Sequence, residues 1–474
     1  MEKKFYITTT LPYINAEPHL GFALEIVQAD ALARYYRQQE YEVFFNTGVD
    51  EHGLKVFRKA REENLEPQVY CDIFAEKYKK LKQDLNLSYG SFIRTTDPNH
   101  IKAAQEFWRR CQKNGDIYKK DYKIKYCVGC ELEKTESELI NDKCPLHPNL
   151  KLEIIEEENY FFRYSKYKDK LLKLYQDNSR FVLPESRLNE IKKFTNKGLD
   201  DFSISRLKQK MPWGISVPGD DKHVMFVWFD ALINYISCLG WPDNLEKFNK
   251  FWPGLQMAGK DNLRQQSSMW QAMLMSAGIT TSKQIFIHGF ITSGGQKMSK
   301  SLGNVVDPFE LVKKYGTDAV RYFLLREIPP TEDGDFTEEK FIERYNADLA
   351  GGLGNLVARV SALSSKFQIT NSKQIANTKF QTEINKTREN YKKALEEFKF
   401  NEALIEVWEL ISFCDEYIEK EKPWAGGKDD VIGDLLLAID EIAKLLGPFL
   451  PETSEKIPKQ LKNKKSGPLF PRLT

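Results

Sequence analysis

Nowhere does the 474-residue chain carry an apolar run near the roughly 18 residues that a membrane-spanning helix needs. Its start, Met1-Glu2-Lys3-Lys4, leads straight into a strand-like stretch without the apolar core of roughly 7 to 15 residues that marks a secretory leader. Cysteines are few and scattered, seven in all, so a disulfide framework is not expected. Charge of one sign is lacking as well: 70 Lys and Arg against 68 Asp and Glu leave a net +2, and no overall field announces nucleic acid. Any such partner must be met by local patches. There is no internal repeat and no low-complexity tract. These absences point to a soluble, cytoplasmic protein without membrane contact, and the length allows two to four domains with a substantial core.

What is present begins with Phe5, Tyr6, Ile7 and Thr8 to Thr10, aromatic and β-branched residues that favour a buried strand. Leu11-Pro12-Tyr13-Ile14-Asn15-Ala16-Glu17-Pro18 cannot continue it. From His19, Leu20, Ala23, Leu24, Val27, Ala31 and Leu32 recur at helical spacing, with Pro18 as a start signal. A strand delivered into a helix N-terminus presents free N–H groups and a positive dipole end, which suits phosphate. His19 and Gly21 sit at this mouth. Read alone, Pro18-His19-Leu20-Gly21 is better taken as an ordinary capped turn, because four-residue matches are common by chance.

A second strand, Ile285 to Phe290, leads into Thr292-Ser293-Gly294-Gly295-Gln296 and then Lys297-Met298-Ser299-Lys300-Ser301. Two lysines three apart beyond a glycine hinge can fold over a triphosphate; as a bare charge run they would be solvated surface. Asp50 follows the strand 42–46 in Thr47-Gly48-Val49-Asp50-Glu51-His52-Gly53, where a carboxylate could hold an ammonium group or equally cap a helix.

Helical patterns cover about 67–85 and 99–114, and 117–126 alternates like a hairpin strand. It runs into Cys127-Val128-Gly129-Cys130, with Cys144-Pro145-Leu146-His147 after a short polar loop. A C-x-x-C and a C-x-x-H at this distance supply four ligands for tetrahedral Zn²⁺; core cysteines and a redox dithiol are the alternatives. Sheet signals return over 224–230, then helix through Tyr235. Trp228, Phe229 and Tyr235 read first as core, although aromatic walls also suit a thioether. After a helix pair over 307–325 and a linker at 329–334, the chain reads as amphipathic helices over 337–367, 378–398, 401–421 and 430–446, a bundle.

Together, Pro18-His19-Leu20-Gly21 and Lys297-Met298-Ser299-Lys300-Ser301 resemble the two signatures of class I aminoacyl-tRNA synthetases. Leu11-Pro12-Tyr13-x-Asn15, Thr47-Gly48-x-Asp50-Glu51-His52-Gly53, Phe226 to Ala231, Gly259-Lys260-Asp261 and Leu302-Gly303-Asn304 stand in the order found in methionyl-tRNA synthetases. The resemblance runs from about Phe5 past Trp424.

It implies an α/β protein: a Rossmann-type doubly wound catalytic domain with a zinc-knuckle insertion, followed by an all-α helical-bundle anticodon-binding domain. The expected boundaries are 1–115 and 216–290 for the two catalytic halves, 116–215 for the insertion, 291–335 for the lysine loop and stem-contact region, and 336–474 for the bundle. It implies ATP with Mg²⁺ at His19, Gly21, Gly259, Asp261, His288, Lys297, Met298, Ser299, Lys300 and Ser301, of which His19, Lys297 and Lys300 are catalytic. Methionine is expected at Leu11, Tyr13, Asp50, Trp228, Ala231, Tyr235 and Gln266, with Asp50 on its amino group. Structural Zn²⁺ is expected at Cys127, Cys130, Cys144 and His147, and the anticodon of tRNA(Met), the initiator included, at Asn355, Arg359 and Trp424. An amide, a guanidinium and an indole suit unstacked bases.

Two positions depart from the family pattern. Phe22 stands where the first signature has a second histidine, and Asn262 and Gln266 stand where an isoleucine and a histidine are common. The insertion has no room for a large editing module, and the chain stops soon after the bundle, so a monomer is expected. A catalytically silent RNA-binding paralogue and another class I enzyme, a different ligase or a small nucleotidyltransferase, are the rival readings.

Overall fold

The computed structural model describes residues 3–129, 132–134, 138–298, 303–364, 378–425, 428–462 and 467–474. The chain divides into two compact units, one made of Met1–Glu17, Glu42–Lys80 and Tyr89–Ile287, the other of Pro18–Tyr41, Leu81–Ser88 and His288–Thr474.

The first unit is built on a six-stranded sheet. β1 (Lys4–Thr8) is central, flanked on one side by β2 (Glu42–Val49) and then β3 (Ser91–Arg94). On its other side come Leu255–Gly259, Gln284–His288 and Val182–Leu183. β1 pairs in parallel with both neighbours, Tyr6 opposite Phe44 and Ile7 opposite Leu255. Consecutive residues along the inner strands are buried, as in a sheet covered on both faces. Gly48 is required by the β2–β3 pairing: a Cβ there would lie 1.9 Å from the carbonyl oxygen of Ile93. The helix Pro98–Lys113 buries Phe107 and Trp108; Phe107 stacks on Trp270, and Trp108 meets Phe229 edge-on.

The alternating stretch at 117–126 forms the expected long strand, Ile117–Cys127, antiparallel to Glu153–Phe162 with Tyr126 opposite Glu153. Leu132–Lys134 and Phe202–Ser203 flank this pair. The expected strand over 224–230 is shorter than its composition suggests. It spans Asp220–Met225, and Trp228–Ala231 is already a helical turn, begun by the Ala231 N–H to Val227 carbonyl bond of 2.8 Å. The apolar run is uniform because it is buried, and burial alone does not distinguish strand from helix. The short helix Leu54–Glu62 was also unexpected, since it buries only Val56 and Ala60.

The second unit holds α1 (Leu20–Gln38), a small sheet and a bundle. Strand Ile291–Ser293 lies between Gln296–Lys297 and Gly334–Phe336, so the expected linker at 329–334 ends inside a strand. Helices Asn355–Ser364, Thr378–Glu396, Phe400–Glu421, Asp429–Leu446 and Pro451–Lys462 follow a π-helical stretch, Tyr345–Gly354. The end expected for the first bundle helix, 365–367, lies outside the described residues. α1 is tied to the bundle side of its unit by a wholly buried pair, Asp30 and Arg321, 2.9 Å apart. Arg321 also donates to the carbonyls of Leu85, Pro448 and Phe449. Burial opposes ionisation of Asp30, but Arg321, Arg34 and Ser88 outweigh it and its pKa lies below the ordinary carboxylate value.

Among the described residues, no helix is long and apolar enough to cross a membrane. Cys71, Cys111, Cys238 and Cys414 are buried and outside any disulfide.

Candidate active site

In the first unit, three chain segments leave the same carboxyl edge of the sheet. Leu11 and Tyr13 follow β1, Asp50 follows β2, and Gly259 ends the strand beside β1, with the exposed Asp261 in the next turn. Open parallel sheets place ligands at this edge. The Asp50 N–H donates to the Pro12 carbonyl at 2.9 Å and the Ile14 N–H to the Asp50 carbonyl at 3.3 Å. Those bonds fasten the Leu11-Pro12-Tyr13 turn beside a carboxylate that is only 2% exposed. Tyr13 and Trp228 pack on one small cluster of Tyr126, Met211, Val224, Phe226 and Val227. Leu11, Trp228 and the buried Tyr235 adjoin the main core.

Trp228 and Ala231 are held by their neighbour Asp230. Its Oδ2 lies 2.7 Å from Nδ1 of His52 and its Oδ1 2.8 Å from Nε2 of His100. His100 in turn faces the Ser237 hydroxyl at 2.9 Å. Burial disfavours the Asp230 charge, but the two imidazoles prevail and hold its carboxyl at about 2. The Tyr6 hydroxyl donates to the Tyr235 carbonyl at 2.8 Å, and Gln266, on a π-helical turn spanning Gln265–Met269, donates to the Tyr235 hydroxyl at 2.7 Å. Asp50, Tyr13, Trp228, Ala231, Tyr235 and Gln266 are thus joined by short links of bonding and packing: a carboxylate, aromatic walls and an amide.

In the second unit, His19 is the N-cap of α1, its Nδ1 accepting the Gly21 N–H at 3.0 Å. Glycine is what lets the ring fold back, because a Cβ at position 21 would lie 2.9 Å from the imidazole Cε1. With Nδ1 accepting, the neutral ring carries its proton on Nε2, as a donor. His19 is open to solvent, yet the atoms crowding it and then the Lys297 ammonium lower its pKa below the ordinary histidine value. Lys297 stands on a tight hairpin with Thr292 opposite it. Gly294 and Gly295 turn the chain at φ +60° and +73°, and Asp335 receives the Gly295 N–H at 2.7 Å and the Thr292 hydroxyl at 2.6 Å. Two successive left-handed residues match the twist of the flanking strands. Met298 follows, half-buried; Ser299, Lys300 and Ser301 lie outside the described residues.

His288 has a different setting from the one expected of a nucleotide contact. Its Nε2 lies 2.8 Å from Glu25 of α1 and its Nδ1 2.7 Å from the Gly289 carbonyl, so both ring nitrogens already face protein oxygens.

Cys127, Cys144 and His147 bring their ligand atoms within 4.8 Å of one another, while Cys130 lies outside the described residues. Gly129 makes room: a Cβ there would meet the His147 ring at 2.4 Å. In the bundle, Asn355 is exposed on the first turn of its helix and Trp424 is 51% exposed. Arg359 is not displayed in the same way, because its guanidinium bonds Asp415 at 2.9 Å and Glu419 at 2.5 Å.

Sequence reasoning passed over the His52–Asp230–His100 group, although two of its members lie inside motifs it used. Their signal was a polar residue within an apolar run, visible only as a demand for a buried partner.

The class of protein is that of the class I aminoacyl-tRNA synthetases, whose family model matches most of the chain. The family model described as tRNA synthetases class I (M) matches residues 5–151 and 130–361, and that of the anticodon-binding domain of tRNA ligase matches 377–471. The methionine–tRNA ligase of Thermotoga maritima is 43% identical over 471 residues, covering 96% of this chain and 74% of its own. That of Synechocystis is 42% identical over 476 residues, with 96% and 89% covered. The solved Mycobacterium tuberculosis methionyl-tRNA synthetase in complex with methionyl-adenylate aligns with a TM-score of 0.93 at 36% identity, covering 99% of this chain and 100% of that one. The chain belongs to the methionyl-tRNA synthetase family.

Proposed function

We propose that the protein is a methionine–tRNA ligase that joins L-methionine to tRNA(Met), the initiator included, at the expense of ATP. A methionine carboxylate oxygen attacks the α-phosphorus, the bond to the β-phosphate breaks, and pyrophosphate leaves. The 3′-terminal adenosine hydroxyl then attacks the acyl carbon and AMP departs. The observation that carries this reading is the buried Asp50 beside Tyr13 at the sheet edge, with Trp228 packed on the same cluster as Tyr13 and Gln266 bonded to Tyr235. An anionic group there suits the ammonium of an amino acid, and polarisable sulfur packs well against rings.

Leu11 and Tyr13 close the methionine side, while Gly259 and Asp261 serve the nucleoside. His19, Gly21, Lys297, Met298, Ser299, Lys300 and Ser301 receive the phosphates with Mg²⁺, and His288 acts by holding Glu25 rather than by direct contact. Neutral His19 donates from Nε2, and Lys297 and Lys300 neutralise charge that develops on the departing pyrophosphate. Cys127, Cys144 and His147, with Cys130, suit structural Zn²⁺, whose role is to hold the knuckle's loops together. Asn355, Arg359 and Trp424 read the anticodon. The domain boundaries stay as drawn from the sequence, and the protein is assigned to the cytoplasm as a monomer; sedimentation tests the latter.

The deciding experiment is exchange of labelled pyrophosphate into ATP, without tRNA, for each amino acid in turn. Methionine alone should support it, and Phe22 and Gln266 are then tolerated variants. No exchange from folded protein that still binds tRNA would replace this reading with a silent RNA-binding one.

A further inference from the structure

A cleft of about 450 Å³ lies in the second unit, where the last turn of α1 meets the bundle helices Thr378–Glu396 and Asp429–Leu446. No step of the ligase chemistry uses it. Its walls are polar side chains with fixed roles. Arg388 grips the buried Glu441 side-on, Nε to Oε1 at 2.6 Å and Nη2 to Oε2 at 2.5 Å. Each carboxylate oxygen is thereby engaged, while Nη1 of Arg388 has no partner among the described residues. Gln38 Nε2 donates to the Lys444 carbonyl at 3.1 Å, an approach that Gly447 permits, because a Cβ there would lie 2.5 Å from that nitrogen. A carbonyl can only accept, so the other end of the Gln38 amide is oxygen and remains an acceptor. The Tyr391 hydroxyl donates to the Leu445 carbonyl at 2.7 Å. These two bonds occupy carbonyls of the last helical turn, which would otherwise present a negative helix end to the cleft.

Tyr35 supplies the unsatisfied group. It is 3% exposed, its ring meets Tyr391 edge-on, and its hydroxyl makes no hydrogen bond with any described residue. Burial, and then the Glu396 carboxylate, hold its pKa above the ordinary tyrosine value, so it stays a donor. Lys392 and Lys444 complete the rim, each beside an exposed carboxylate, Glu396 at 3.9 Å and Asp440 at 2.7 Å. Exposed pairs of this kind bind their partners weakly, so both ammonium groups can turn to a ligand.

We propose that this cleft binds a small phosphate monoester bearing hydroxyl groups, of the size of a sugar phosphate or a mononucleotide. Arg388 Nη1, Lys392, Lys444 and the Tyr35 O–H serve the phosphate oxygens, and Gln38 Oε1 receives a ligand hydroxyl. The volume lies within the range of small-molecule sites. A cationic ligand is disfavoured, because the one carboxylate on the lining already belongs to Arg388. A phosphodiester such as the RNA backbone carries a single charge where a monoester carries nearly two, so Arg388, Lys392 and Lys444 favour the monoester.

The test is calorimetric titration of the full chain with ribose 5-phosphate and with AMP, located by amide exchange. Ribose 5-phosphate should bind saturably and slow exchange across 388–392 and 441–445. Tyr35→Phe, which removes only the unpartnered oxygen, should weaken binding about tenfold or more, the worth of a hydrogen bond to a charged group. Methionine-dependent pyrophosphate exchange should be unchanged in that variant. Lys392→Gln should weaken binding a few-fold, less so at high salt, and serves if Tyr35→Phe does not fold. Lys297→Ala should leave ribose 5-phosphate binding intact. A Tyr35-dependent affinity that is higher for AMP identifies a nucleotide, and an equal one a sugar phosphate. The site is overturned by an absence of saturable binding, by binding that folded Tyr35→Phe and Lys392→Gln leave unchanged, or by its loss in Lys297→Ala. Weaker tRNA binding in Tyr35→Phe, with no monoester bound by wild type, would overturn it in favour of an RNA backbone contact.

Discussion

The carboxylate of Asp230 sits 2.7 Å from the His52 imidazole, and its other oxygen lies 2.8 Å from His100. This pairing joins the residue two beyond Asp50 to the turn that carries Trp228 and Ala231. Removing one partner of a buried charged group leaves the others uncompensated, and Asp230→Asn should cost about 3 kcal/mol near neutrality. The folded carboxyl is held at about 2, below its ordinary 3.8. A group depressed on folding stabilises above its unfolded pKa and loses that contribution as pH falls through the folded one. Urea unfolding should therefore show the deficit of Asp230→Asn fully above about pH 4 and closing towards pH 2; a deficit independent of pH over that window would dismiss the ionised pair.

Lys297 and His19 form a second testable pair. Removing the ammonium in Lys297→Ala should slow adenylate formation by about 100-fold or more, as expected for loss of a charge that meets the developing anion. Methionine binding, measured by calorimetry, should hardly change. The His19 pKa should rise at the same time, since one of the two causes lowering it is gone. Its Cε1 proton resonance would then titrate at higher pH than in wild type, and an unmoved titration would argue against the coupling.

At the knuckle, purified protein should contain about one zinc per chain by elemental analysis. Cys144→Ser should lose it and, with it, amide protection across Ile117–Cys127 and Glu153–Phe162, because an unsupported loop cannot order itself. Full retention of metal in that variant would remove Cys144 from the ligand set.

The bundle yields a prediction of opposite sign to the usual one. Arg359 is engaged by Asp415 and Glu419, so a phosphate or base must displace carboxylates to reach it. Glu419→Gln should tighten tRNA binding a few-fold, about the worth of one exposed ion pair, whereas Trp424→Ala should impair charging and spare methionine-dependent exchange. Binding weakened by Glu419→Gln would mean that the pair positions Arg359 rather than restraining it.

The fold was legible where period and punctuation agreed. β1, the Pro18-His19 helix start, the 117–126 strand and the bundle helices all carry strong local patterns. The stretch over 224–230 was misread because a helical turn buried over most of its surface carries no polar stripe. Members of the site were visible as motifs, but their mutual support was not: the His52–Asp230 contact spans 178 residues and the Tyr235–Gln266 contact 31. No local pattern encodes a partner so distant. Arg359 shows the converse, a residue whose type suited the role proposed for it while its acidic neighbours, on another helix, engage it.

The burial of the thiols has a practical consequence. Cys71, Cys111 and Cys414 are driven well above the ordinary thiol range by desolvation, and Cys238 is pushed up to about 12 by the same cause. Alkylating reagents attack thiolate, so these four should stay silent to maleimides at neutral pH. A single cysteine introduced at the exposed Ala425, beside Trp424, could then carry a fluorophore and report the arrival of tRNA in real time, with the four native core thiols left in place and the three knuckle cysteines masked by added zinc during labelling.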